Sequence, residues 1–83
     1  MKKMRFFTEE DGDEQLIATV EMSKSSTIPR KKDEIAFEGD LRIFKVKNVS
    51  YLYDFVEETE HGDLYTDEEL MVDITLKEVE YGN

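Results

Sequence analysis

Glu34-Ile35-Ala36-Phe37-Glu38 and Leu41-Arg42-Ile43-Phe44-Lys45-Val46 flank a Gly39-Asp40 pair, and this stretch decides the fold. Two short runs with β-branched and aromatic residues on either side of a glycine-containing pair predict a tight antiparallel hairpin, because glycine accepts the positive φ that such a turn demands. From Leu41 the extended pattern continues to Val56, but its parity changes. Phe44 and Val46 are even, whereas Val49, Tyr51, Tyr53 and Phe55 are odd. One extra residue near Lys47-Asn48, a β-bulge, predicts a bent strand that serves two faces of a curling sheet. On this parity Tyr51 and Phe55 read as core, and Leu52 and Tyr65 as exposed contacts.

Upstream, residues 2–8 read as a first strand, and Asp11-Gly12 supplies a turn into a second strand over 15–23. There Leu16, Ala18, Val20 and Met22 share one face at period two. Residues 24–33 are a polar connection, and Pro29, which has no amide proton to donate, makes it a loop or an edge. Downstream, Leu70, Val72, Ile74 and Leu76 form an even-numbered stripe, after which Val79 and Tyr81 switch parity again. Thr66-Asp67-Glu68-Glu69 matches a capping box, so one short helical turn is expected near residues 66–71. Two parity switches favour closure over a flat sheet. The expectation is an all-β chain, residues 1–83 forming one five-stranded antiparallel, SH3-like, partly closed barrel.

Length and composition narrow the functions. At 83 residues with nine aromatics and 39% charged side chains, the core is one compact layer with no room for a deep cofactor pocket. The absence of cysteine removes disulfides and thiolate metal sites and fits a reducing cytoplasm. The basic start Met-Lys-Lys-Met-Arg meets Thr8-Glu9-Glu10-Asp11 before a signal-peptide apolar stretch forms, and no run is long enough for a membrane span. A cytoplasmic location without membrane association is expected. His61, the single histidine, lies in the polar segment 57–63 and reads as a solvated loop residue rather than a base oriented by Asp63 or a ligand beside Glu60. The serines lack patterned His and Asp partners, so no catalytic, cofactor or metal site is expected.

Charge is the more informative signal. The net value of −10 disfavours direct binding of nucleic acid and points to a protein with a basic surface. Eight acids, Asp54, Glu57, Glu58, Glu60, Asp63, Asp67, Glu68 and Glu69, fall in a segment without Lys or Arg, and Tyr65 sits among them. Glu9, Glu10, Asp11, Asp13 and Glu14 form a second cluster. Read as two loops at one end of the barrel, they make a single acidic, partner-binding surface able to imitate the phosphate charge of a duplex. The plain alternative is a solvated face that keeps the protein soluble. Arg30, Lys31 and Lys32, beside Arg42, Lys45 and Lys47, are expected to pair internally with Glu34, Glu38 and Asp40.

Residues 28–51, from Ile28-Pro29-Arg30-Lys31-Lys32-Asp33 through Val46-Lys47-Asn48-Val49-Ser50-Tyr51, resemble short proteins of bacterial prophages and mobile elements. In those a Pro-x-x-Gly-Asp turn leads into a hairpin and a long Val-x-x-Val-x-Tyr strand of a small barrel, and here Lys32 stands where the glycine usually is. The resemblance implies a noncatalytic phage-type protein, such as an inhibitor that occupies the nucleic-acid groove of a host defence nuclease. The rival reading is a structural or assembly module that self-associates through a β edge or an aromatic surface.

Overall fold

The computed structural model describes residues 2–79. Five strands, β1 (Lys3–Glu10), β2 (Asp13–Glu21), β3 (Glu34–Ala36), β4 (Ile43–Thr59) and β5 (Gly62–Glu78), form one sheet in the order β2-β1-β5-β4-β3. The fold is all-β and partly closed, since β2 and β3 are the two edges and do not touch each other. It is mixed rather than antiparallel throughout. β1 runs parallel to β5, with Lys3 opposite Met71 and Thr8 opposite Leu76, while the other three pairings are antiparallel. An alternating apolar pattern reads the same in both directions, so periodicity left the direction of β1 open.

Alternation builds the core. Met4 and Phe6, Phe44 and Val46, and Leu70, Val72, Ile74 and Leu76 are buried on the concave face. Ile28 from the connection between β2 and β3 packs against them, as does Phe37. The Phe37 ring meets Phe6 edge-on at 5.3 Å and Phe44 at 6.0 Å, covering the face that the open sheet leaves uncovered.

The turns explain where the expected strands end. Asp11 (φ 52°) and Gly12 (φ 84°) form the two-residue hairpin turn between Glu10 and Asp13. The hairpin of β3 and β4 is also present, but its connection is residues 37–42 rather than Gly39-Asp40 alone. Phe37 leaves the ladder to cap the core, and the Asp40 amide donates to the Phe37 carbonyl at 3.0 Å across Gly39 (φ 87°). The Asp40 carboxylate then accepts from the Arg42 amide (2.9 Å) and guanidinium (2.8 Å), which keeps residues 40–42 out of the pairing.

The bulge expected near Lys47-Asn48 lies between Val46 and Asn48. A second shift, between Phe6 and Phe7, splits the expected β2 stripe: Ala18 opposes buried Phe6, but Leu16 opposes Phe7 on the outer face and is 54% exposed. No helix forms at 66–71. Between Leu52↔Met71 and Asp54↔Thr66 the ladder advances two residues on β4 and five on β5. The capping-box segment is therefore a wide bulge, in which the Thr66 hydroxyl accepts from the Glu68 amide (3.3 Å) without starting a helix. Tyr81, read as a final parity switch, lies outside the described residues.

Candidate functional site: an acidic, aromatic β arm

The first residue of β5 to pair with β1 is Met71, so beyond Leu52 and Met71 strands β4 and β5 continue as a two-stranded ribbon with no third strand beside it among the described residues. The segment expected as an acidic loop over 54–69 is mostly this arm. Tyr, Phe, Val and Thr favour the pleated conformation, and Phe55, Tyr65, Thr59 and Thr66 find cross-strand partners that a loop would not supply. The ladder runs Asp54↔Thr66, Phe55↔Tyr65, Glu57↔Leu64, Glu58↔Asp63 and Thr59↔Gly62. Only Glu60 and His61 form the tip. There the Thr59 hydroxyl donates to the Gly62 carbonyl (2.6 Å) and accepts from the His61 amide (3.3 Å).

Directly opposed residues share a face. One face carries Phe55 and Tyr65, whose rings meet edge-on at 5.6 Å, followed by Glu58 and Asp63; the other carries Asp54, Glu57 and Leu64. Neither face is covered. Phe55 is 57% and Tyr65 53% exposed, and Tyr53, Val56 and Leu64 are exposed beside them. The assignment of Tyr51 and Phe55 to the core is thereby corrected, since Tyr51 is 48% exposed; Leu52 and Tyr65 are exposed as expected. The sequence signal for this was Leu52 and Val56, even-numbered apolar residues interleaved with the odd stripe of Tyr51, Tyr53 and Phe55, too many for one buried face.

The two acidic clusters lie at opposite ends. Because β1 parallels β5, the Glu10-to-Asp13 turn points away from the arm tip, roughly 50 Å from it at the rise of an extended strand. The molecule's longest extent is 59 Å. Glu9, Glu10, Asp11, Asp13 and Glu14 thus form a separate surface, where Lys47 Nζ reaches Glu9 at 3.2 Å. Asp67 at the base of the arm is held by Lys2 (3.0 Å), whose hydrogen bond and charge keep its carboxyl below the usual range. Glu68 and Glu69 belong to the bulged segment. Asp54, Glu57, Glu58, Glu60 and Asp63 remain along the arm. Glu58 and Asp63 oppose each other directly, a like-charge pair that weakens pairing near the tip. No cluster of three or more potential metal ligands occurs among the described residues.

The basic residues divide unexpectedly. Arg42 is paired by Asp40, whose carboxyl is lowered to about 2 by the Arg42 side-chain hydrogen bond and then by the Arg42 amide, and Arg5 is clasped by Asp73 at 2.7 Å through two nitrogens. Lys24, Arg30, Lys31 and Lys32, by contrast, form no side-chain ion pair among the described residues, which corrects the expected pairing of 30–32 with Glu34 and Glu38. Arg30 and Lys31 edge a shallow groove completed by Ile28, Pro29, Val49 and Tyr51 at the foot of the arm. At the other end, a depression of about 270 Å³ is lined by Thr8, Glu10, Arg42, Phe44 and Lys77 among others. No helix among the described residues is long and apolar enough to cross a membrane. No protein-family model, curated protein or solved structure matches the chain.

Proposed function

We propose that the protein is a noncatalytic binding protein whose arm is its recognition element, and that its partner is a protein with a basic surface. The arm itself carries this reading: an uncovered ribbon with aromatic side chains and five acids, Asp54, Glu57, Glu58, Glu60 and Asp63, and no Lys or Arg. Aromatic residues supply most of the energy of protein interfaces, and a one-signed charge around them steers a partner of the opposite sign. A narrow acidic ribbon is also the shape that enters a groove built for nucleic acid, which agrees with the phage-type resemblance of residues 28–51 and with inhibition of a defence nuclease. The 9–14 cluster is too distant to join the same contact.

The test is capture from a bacterial lysate at low salt, with elution by rising salt and competition by DNA or RNA. Glu57→Lys/Glu58→Lys/Asp63→Lys, shown to be folded by its circular dichroism, is the control. Recovery of one nucleic-acid-binding enzyme by the natural chain and not by the control supports the reading; equal recovery by both overturns it. Self-association is the second reading, favoured by the groove at the foot of the arm, whose Arg30 and Lys31 form no side-chain ion pair among the described residues.

A further inference from the structure

We infer that, away from its partner, the arm docks on a second copy of this chain, forming a two-fold dimer in which each acidic tip lies in the other copy's basic groove. The inference rests on the reading of the arm as the recognition element and names what covers it at rest.

Two independent features meet. In a chain with 21 acids, Arg30 and Lys31 still lack an ion-pair partner among the described residues, and they edge a groove floored by Ile28, Val49 and Tyr51. The arm offers the complement, Phe55 and Tyr65 followed by Glu58 and Asp63 on one face. A hairpin cannot fold back onto its own foot, so the groove is out of reach of its own tip. It is within reach of another. Seven residues separate Leu52 from Thr59, so the ribbon reaches about 23 Å from foot to tip. Two such ribbons laid antiparallel bring each tip to the other's foot and each Phe55–Tyr65 pair toward its counterpart. The interface is isologous, so it closes at two copies. A ribbon about 10 Å wide presents on the order of 250 Å² per face, and two arms with two grooves bury on the order of 1,000 Å². That area lies at the lower limit for a specific interface, the range of weak, transient contacts that a basic partner can displace.

The test uses sedimentation velocity on the full chain and two charge-reversed variants, Arg30→Glu/Lys31→Glu and Glu58→Lys/Asp63→Lys. The natural chain is expected to dimerise with Kd of about 1–100 μM at low salt, and each variant alone to lose at least about tenfold in affinity. An equimolar mixture of the two variants restores both arm-to-groove contacts, so it should recover the dimer as a heterodimer. A natural chain that stays monomeric at about 200 μM, a dimer indifferent to the reversals, or a mixture that does not recover overturns the inference. Arg30→Glu/Lys31→Glu leaves the arm intact and keeps lysate capture if only the dimer idea fails, whereas loss of capture by the natural chain refutes the arm as a recognition element.

Discussion

Lys32 has φ 80°, the left-handed region that favours glycine. The turn it closes is intact: the Asp33 amide donates to the Arg30 carbonyl (3.0 Å) and the Asp33 carboxylate accepts from the Arg30 amide (2.8 Å). The same turn aligns the Lys32 amide on the Val46 carbonyl (2.9 Å) and the Asp33 carbonyl on the Val46 amide (2.8 Å), extending the pairing of β3 with β4. These bonds hold a side-chain-bearing residue in a conformation that costs about 1–2 kcal/mol without glycine. Lys32→Gly removes that strain but gives the unfolded chain more freedom, a loss of about 0.4–1 kcal/mol. The net gain is about 0.5–1 kcal/mol, a rise in Tm of about 3–6 °C for a domain of this size. Thermal unfolding followed by circular dichroism is the assay, with Lys32→Asn expected in between, because asparagine tolerates this conformation, and Lys32→Ala unchanged within about 0.5 kcal/mol. A Lys32→Gly protein no more stable than Lys32→Ala would refute the reasoning, since the side chain rather than the backbone would then govern the turn.

Three further outcomes are expected. Phe37→Ala removes the ring bridging Phe6 and Phe44 and should lower stability by about 2–3 kcal/mol in urea, less than for a fully buried phenylalanine because Phe37 is half-buried. Thr8 is 5% exposed and its hydroxyl has no hydrogen-bond partner among the described residues, so Thr8→Val should raise stability by about 1 kcal/mol in the same assay. Asp40 has its folded pKa lowered to about 2, so its contribution is complete above the unfolded value of about 3.9 and is lost as pH falls through about 2. The stability difference between the natural chain and Asp40→Asn should therefore be constant above about pH 5 and vanish toward about pH 1.5, as read by urea unfolding across that range; a difference independent of pH would exclude the pairing with Arg42.

The features legible in the sequence are those that period two and turn chemistry encode. The Leu70, Val72, Ile74 and Leu76 stripe is the buried spine of β5, Asp11-Gly12 is the hairpin turn, and the parity change at Lys47-Asn48 is a bulge. Strand direction was not legible, because alternation is unchanged by reversal, and with β1 turned parallel the two acidic clusters went to opposite ends. The arm was hidden for another reason. Its acids suggested a wet loop, and Tyr51 and Phe55 suggested a core, whereas the ribbon is both extended and uncovered: cross-strand pairing requires a partner strand, not burial. The capping box failed because Thr66 is followed by β-branched residues that hold β5 in the sheet and leave the local hydrogen bond as a bulge.

The parallel pairing of β1 with β5 also bears on how the chain is made. Arg5 and Asp73, 68 positions apart, are joined by two hydrogen bonds on neighbouring central strands. On the ribosome β1 and β2 emerge well before β5, as a hairpin whose Met4 and Phe6 complete their burial only when Leu70, Val72, Ile74 and Leu76 arrive. Completion of the sheet must wait for β5, and the long closure that joins it to β1 predicts slow, all-or-none assembly. During that wait the exposed hairpin is the form most open to chaperones, proteases and misassociation, so brief proteolysis of ribosome-bound chains truncated before residue 70 should find no protected fragment.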